Sequence, residues 1–169
     1  MTTDQHAPAE ADRLVVHRIV RAAPEIVFDL LADPARHHLT EPTDWVRGSL
    51  DPAPARIMEI GQVFGIEMFH LNAGGRYEMH NLVIAFKPGR TIAWEPSQYA
   101  PDGTLAGGGW TWRYDLDPTP EGTRVTLTYD WSATPPEVAA EIGGLPSVGP
   151  EFLARSLDAL SAAVEDAPA

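Results

Sequence analysis

The chain has 169 residues, 44% of them apolar and 21% charged, and no cysteine, which fits one soluble domain without disulfides, thiolate nucleophiles or cysteine-ligated metal sites. A formal net charge of −12 excludes the clustered cations that nucleic acid and anionic membrane surfaces demand. No run approaches the roughly 18 apolar residues of a membrane span, and MTTDQHAPAEADR has neither a basic start nor an apolar stretch, so a cytoplasmic protein with no integral membrane association is expected.

In chain order, residues 1–13 and 166–169 carry no apolar periodicity and are expected to be flexible tails on a single domain over 14–165. LVVHRIVR, residues 14–21, is rich in β-branched residues and predicts a strand. Its alternation does not decide which side is buried, so His17 and Arg18 stay unassigned. AAPEIVFDLL places Pro24 at a first helical position, Glu25 in the first turn and Ile26, Val27, Leu30 and Leu31 on one face of a short helix. A second short turn is expected over DPARHH.

Strand and turn signals then run from Trp45 to Ser132, with strands expected near 45–50, 62–71, 76–87, 90–96, 109–117 and 122–132. Turns are marked by Ala73-Gly74-Gly75, Pro88-Gly89 and Asp117 to Gly122. Centring the hairpins on these turns sets Ile66 opposite Asn81, Met68 opposite Met79 and His70 opposite Tyr77. It also sets Val83 opposite Trp94, Ala85 opposite Ile92, Tyr114 opposite Val125, Trp112 opposite Leu127 and Trp110 opposite Tyr129. All three turns agree on one apolar face. The other face takes Glu67, His80, Arg113, Asp115, Arg124, Thr126, Thr128 and Asp130, with Glu67 facing His80 as a surface ion pair.

Thr134-Pro135-Pro136-Glu137 has the spacing of a capping box and predicts a short helix that Gly143-Gly144 ends. After Pro150, residues Phe152, Leu153, Leu157, Leu160 and Val164 recur at helical spacing, so one long amphipathic helix closes the chain. Its stripe is expected to lie on the aromatic sheet face.

These motifs carry a resemblance. RIVRAAPEIVFDLLADPARH, YEMHNLVIAFKPGRTIAWEP and GGGWTWRYDLDPTPEGTRVTLTYDW, in this order from about Val16 to Val164, resemble the SRPBCC superfamily, which includes START-related, Bet v 1-like and polyketide cyclase/dehydrase proteins. The resemblance implies an α+β helix-grip fold, in which a curved seven-stranded antiparallel sheet wraps a long C-terminal helix and two short helices follow the first strand. It also implies an apolar cavity between sheet and helix.

The aromatic stripe is either core or a ligand wall. Trp94, Trp110, Trp112 and Trp131 share one inferred face with three tyrosines, and each N–H or O–H buried without a partner costs about 1–3 kcal/mol. A cavity holding water or a polar guest meets that need more easily than dry packing. A small hydrophobic guest, aromatic or polycyclic, would meet Phe64, Ile66, Met68, Met79, Asn81, Val83, Trp94, Trp110, Trp112, Tyr114, Leu127 and Tyr129 from the sheet. From the helix it would meet Phe152, Leu153 and Leu157.

If the protein is instead a cyclase or dehydratase, His70, Tyr77 and Asn81 are the candidate proton-handling groups, although no carboxylate falls on the inferred face to orient His70. A third class, an interaction module like the Hsp90 activators, needs an exposed apolar patch that these polar outer positions do not offer. His37-His38 lacks the i, i+4 spacing that aims two imidazoles at one metal, and the glycines at 106–109 lead into a strand rather than a helix. No metal, nucleotide or other cofactor is therefore expected, and those glycines are assigned to a rim or lid with Gly143 to Pro146.

Overall fold

The computed structural model describes residues 12–165, and the two terminal tails expected from the sequence lie outside them, apart from Asp12 and Arg13. Strand β1 (Arg13–Val20) leads into helix α1 (Pro24–Leu31) and a 3-10 turn (Pro34–Thr40). Strands β2 (Val46–Ser49), β3 (Val63–His70), β4 (Gly75–Lys87), β5 (Thr91–Tyr99), β6 (Leu105–Gly107), β7 (Thr111–Thr119) and β8 (Gly122–Asp130) follow. Helices α2 (Pro136–Glu141) and α3 (Pro150–Glu165) complete the described chain. Seven strands cross one antiparallel sheet in the order β1-β8-β7-β5-β4-β3-β2, and the short β6, not foreseen from the sequence, pairs on β5. The sheet curls around the elements that grip it, which is the helix-grip architecture.

Two hairpin registers differ from expectation by two residues, because the turns are tighter or earlier than assumed. Between β3 and β4 the chain turns through a 3-10 turn at Leu71–Ala73 and left-handed Gly74, so Ile66 faces Met79, Met68 faces Tyr77 and Phe64 faces Asn81. Between β7 and β8 the turn is Pro120-Glu121, which sets Trp112 against Tyr129, Tyr114 against Leu127 and Leu116 against Val125. A slip of two preserves parity, so the inferred face survives although its partners change. Between β4 and β5 Val83 faces Trp94 as expected, but an irregularity at Ile84 brings Phe86 rather than Ala85 opposite Ile92.

The surface pair Glu67–His80 does not form. Glu67 faces Glu78 and lies 3.3 Å from Arg76, while His80 lies 3.6 Å from Glu78. The capping box fails as well. Pro135 takes an extended conformation ahead of Pro136 and becomes the helix N-cap, which leaves the Thr134 hydroxyl buried without a partner. On α1, Phe28 replaces Ile26 on the buried face and meets Phe86 edge-on at 5.5 Å, while Ile26 is 40% exposed.

Leu153, Leu157, Leu160 and Val164 of α3 are buried with Val20, Val27, Leu30, Val125 and Leu127 in one core. The helix lies chiefly against β1, the 3-10 turn at Pro34–Thr40, α1 and β8. The rest of the aromatic face, from β3 to β7, is covered by the 3-10 turn, Trp45 and Phe152 instead. The convex face is less polar than expected, because Val15, Ile19, Val63 and Ile84 are exposed on the outward positions of β1, β3 and β4.

Candidate functional site

Alternation on β3, β4, β5, β7 and β8 puts Phe64, Ile66, Met68, Tyr77, Met79, Asn81, Val83, Ile92, Trp94, Trp112, Tyr114, Leu127 and Tyr129 on the concave side. Phe64, Ile66, Val83, Tyr114, Leu127 and Tyr129 are buried, while Met68, Tyr77, Met79, Trp94 and Trp112 are only half-buried. The wall is thus sealed near α3 and open toward β4 and β5. Of the helix residues expected there, Leu153 and Leu157 are core, and Phe152 reaches the mouth to meet Trp45 at 5.7 Å.

Two aromatic groups make up the wall. At the mouth, Trp112 stacks on Tyr129 with centroids 4.3 Å apart, Tyr129 leans on Trp131 at 5.1 Å, and Trp45 meets Trp112 edge-on at 6.5 Å. At the floor, Trp94 lies 5.4 Å from Phe64 and 5.8 Å from Tyr114. The imidazole of His37 stacks on Trp94 at 5.0 Å and stands edge-on to Phe64 at 5.2 Å.

His37 is the central residue that pattern reading missed. Asp33 caps the 3-10 turn by accepting from the Ala35 amide, which rolls His37 inward and leaves His38 exposed. Its Nε2 donates to the Leu31 carbonyl at 2.7 Å, and burial lowers its pKa to about 4, against the weaker upward pull of that bond. Thr40 donates to the His37 carbonyl at 2.8 Å, and Ser156 of α3 donates to the Thr40 carbonyl at 2.6 Å. Burial pushes the nearby Tyr114 hydroxyl up to about 12, opposed by Ser156 and Thr40. Ser156, lying within the apolar stripe of α3, was the legible signal for this contact. The signal for Trp45 was that it was the one tryptophan left off the inferred face.

Asn81 sits between Phe64 on β3 and Pro96 on β5. It is 5% exposed, and its side chain makes no hydrogen bond among the described residues. The sheet is interrupted beside it. β5 pairs with β7 only as far as Trp94 and resumes with β6 at Ser97, and Pro96 in the gap has no N–H to offer a neighbour. The glycines opposite the gap are packed rather than loose. A Cβ on Gly108 would fall 1.9 Å from the Trp110 ring, and one on Gly109, at φ +96°, would fall 2.6 Å from the Ala133 carbonyl oxygen. Trp110 therefore precedes β7 instead of lying within it, and its indole folds back over Gly108.

The three candidate proton-handling groups do not converge. His70 is exposed at the hairpin end, where its Nδ1 accepts from the Asn72 amide at 3.1 Å. The Tyr77 hydroxyl accepts from Trp45 Nε1 at 2.5 Å, and burial raises its pKa against that bond. Asn81 faces Phe64, six residues back along β3 from His70, or about 20 Å at 3.3 Å per residue. Arg18, unassigned from the sequence, falls on the inward side of β1, where Asp158 of α3 holds it. Arg113 pairs outward with Asp115 at 2.9 Å. The concave positions of β3, β4, β5, β7 and β8 carry no Asp, Glu, Lys or Arg.

Two surface depressions, of about 590 and 460 Å³, are lined by Arg18, Arg21 and Glu165 and by Pro24, Pro118 and Gly122 among others, and neither touches the aromatic wall. No group of three or more metal-ligating side chains occurs among the described residues, and no helix there is long and apolar enough to cross a membrane.

Similarity to known proteins agrees with this architecture. The protein NE0264 from Nitrosomonas europaea superposes with a TM-score of 0.66 at 17% identity, covering 94% of this chain and 96% of the other. The major latex-like protein 151 of Panax ginseng superposes with a TM-score of 0.56 at 13% identity, covering 90% and 96%. At these identities the likeness establishes the fold alone. An uncharacterized protein of Mycobacterium tuberculosis, Rv0088, is 32% identical over 108 residues, 63% of this chain, and the match spans only 42% of the length of that relative. The model of the polyketide cyclase/dehydrase and lipid transport family matches residues 12–165, and the chain belongs to that family.

Proposed function

We propose that the protein binds a small hydrophobic molecule, flat and aromatic or polycyclic, against the concave wall formed by Trp94, Trp112, Tyr77 and Met79, with Asn81 as its polar anchor. Asn81 carries the reading. A carboxamide only 5% exposed, on an otherwise apolar face, offers both donor N–H groups and an acceptor oxygen to a guest or its attendant water. The half-buried aromatics around it provide contact area, and the stacks at floor and mouth make that area flat. Membership of a family described by lipid transport as well as by cyclase and dehydrase chemistry supports a binding role. The separation of Asn81 from His70, about 20 Å along β3, favours binding over catalysis.

Titration of the protein with naphthalene-based and larger polycyclic probes, followed by calorimetry, tests the reading. Saturable binding that weakens at least tenfold in Asn81→Leu is expected. Absence of binding by every flat apolar probe rejects it. Mass spectrometry of molecules that co-purify with the protein identifies the natural guest directly.

A further inference from the structure

We propose that this site selects a neutral, hydroxyl-bearing aromatic guest over a carboxylate of the same shape, with the free nitrogen of His37 accepting the hydrogen bond of the guest's hydroxyl. The inference rests on the binding reading above and deepens it by naming the chemistry of the guest.

The tautomer of His37 is fixed by its neighbour. A carbonyl oxygen only accepts, so Nε2, 2.7 Å from the Leu31 oxygen, must carry the proton. Nδ1 is left as a lone-pair acceptor with no partner among the described residues. A group that only accepts calls for a guest that donates, and a hydroxyl does so where a ketone, an ether or a carboxylate does not. The His37 ring, 6% exposed, packs against Phe64 and Trp94 at the floor of the wall, and Nδ1 is not sealed away from a guest or water there.

Charge decides the second half. Among the described residues, the one arginine or lysine on the inward side of the sheet is Arg18, and it is already held by Asp158. Arg113 and Arg124 face outward, and Glu41, whose carboxylate accepts from the Thr43 and Trp45 amides, adds negative charge at the mouth. Burial keeps the imidazole neutral at physiological pH, so it supplies no counter-charge either. A carboxylate brought to this wall would lose its hydration with no counter-charge to replace it. Asn81, able to donate and accept, serves a second oxygen or a water on the guest.

The test compares three molecules of one shape by calorimetry at pH 7.5: 2-naphthol, naphthalene and 2-naphthoate. The wild-type protein is expected to bind 2-naphthol at least tenfold more tightly than 2-naphthoate and more tightly than naphthalene. In His37→Phe, which keeps an aromatic ring, the advantage of 2-naphthol over naphthalene is expected to vanish. The wild-type comparison requires no variant and stands if His37→Phe does not fold. Equal or tighter binding of 2-naphthoate, or an unchanged naphthol advantage in a folded His37→Phe, overturns the inference while leaving a hydrophobic binding site intact. Failure of all three to bind removes the binding reading and this inference with it.

Discussion

The imidazole of His37 lies nearly parallel to the indole of Trp94, with centroids 5.0 Å apart and planes 19° from coplanar. One ring comes from a short turn and the other from the middle of the sheet, so the contact fastens the covering segment to the wall. It also places a titratable group where water barely reaches.

Acid should therefore weaken this fold. His37 has a folded pKa of about 4 and an ordinary value of 6.5, so between those pH values the unfolded chain binds the proton that the folded chain refuses. The stability is fully present above pH 6.5 and is lost as pH falls toward 4, by about 3 kcal/mol in all. Urea unfolding of the wild type and of His37→Phe across this range measures the loss, and the variant should show a shallower dependence. Identical pH profiles for the two proteins would contradict it.

Asn81→Leu should raise stability while abolishing guest binding. Replacing a nearly buried amide by an apolar side chain of similar volume removes the cost of desolvating it, worth about 1 kcal/mol. Chemical denaturation reads the change. A loss of stability greater than about 1 kcal/mol would mean that the amide is satisfied within the fold.

Gly108→Ala and Gly109→Ala should both destabilise, for different reasons. At position 108 the methyl group meets the Trp110 ring, so the indole must swing out and its fluorescence shift to the red. At position 109 the methyl group meets the backbone at Ala133 and Thr134 from a left-handed conformation, which costs about 1–3 kcal/mol. Gly48→Ala, with nothing within 4 Å of the new methyl group, is the control and should leave the melting temperature nearly unchanged.

Ser156→Ala removes the hydrogen bond to the Thr40 carbonyl, 2.6 Å long, and strands a partly buried acceptor. A loss of about 1 kcal/mol is expected. Hydrogen exchange should quicken in the 3-10 turn at Pro34–Thr40 and not in β1, which separates this tether from general loosening of α3.

The sheet was legible because strand alternation has a period of two. Even a two-residue slip in the β3–β4 and β7–β8 registers left Phe64, Tyr77, Trp112, Tyr114 and Tyr129 on their assigned face, and of the strand aromatics assigned there only Trp110 fell outside β7. The slips themselves were not legible, since NAGG and the Asp117–Gly122 segment each admit turns of different length, and only the packed sheet selects one. His37 was hidden for another reason. A 3-10 turn has no lasting periodicity to mark its buried side, and the adjacent His38 disguised an inward residue as half of a surface pair. The interruption at Pro96 was written in the sequence as a proline near a strand end, but the return of the chain as β6 beside it depends on contacts ten residues away.

The seating of α3 divides the labour of the molecule. The helix holds β1 and β8 together with the first helix and its turn, whereas the β3-to-β5 portion of the wall meets small covering groups instead. Foldability is concentrated in one keystone, and the proposed binding wall occupies strands that the keystone barely touches. Substitutions at the half-buried Met68, Tyr77 or Met79 are therefore expected to change the surface of that wall without dismantling the scaffold.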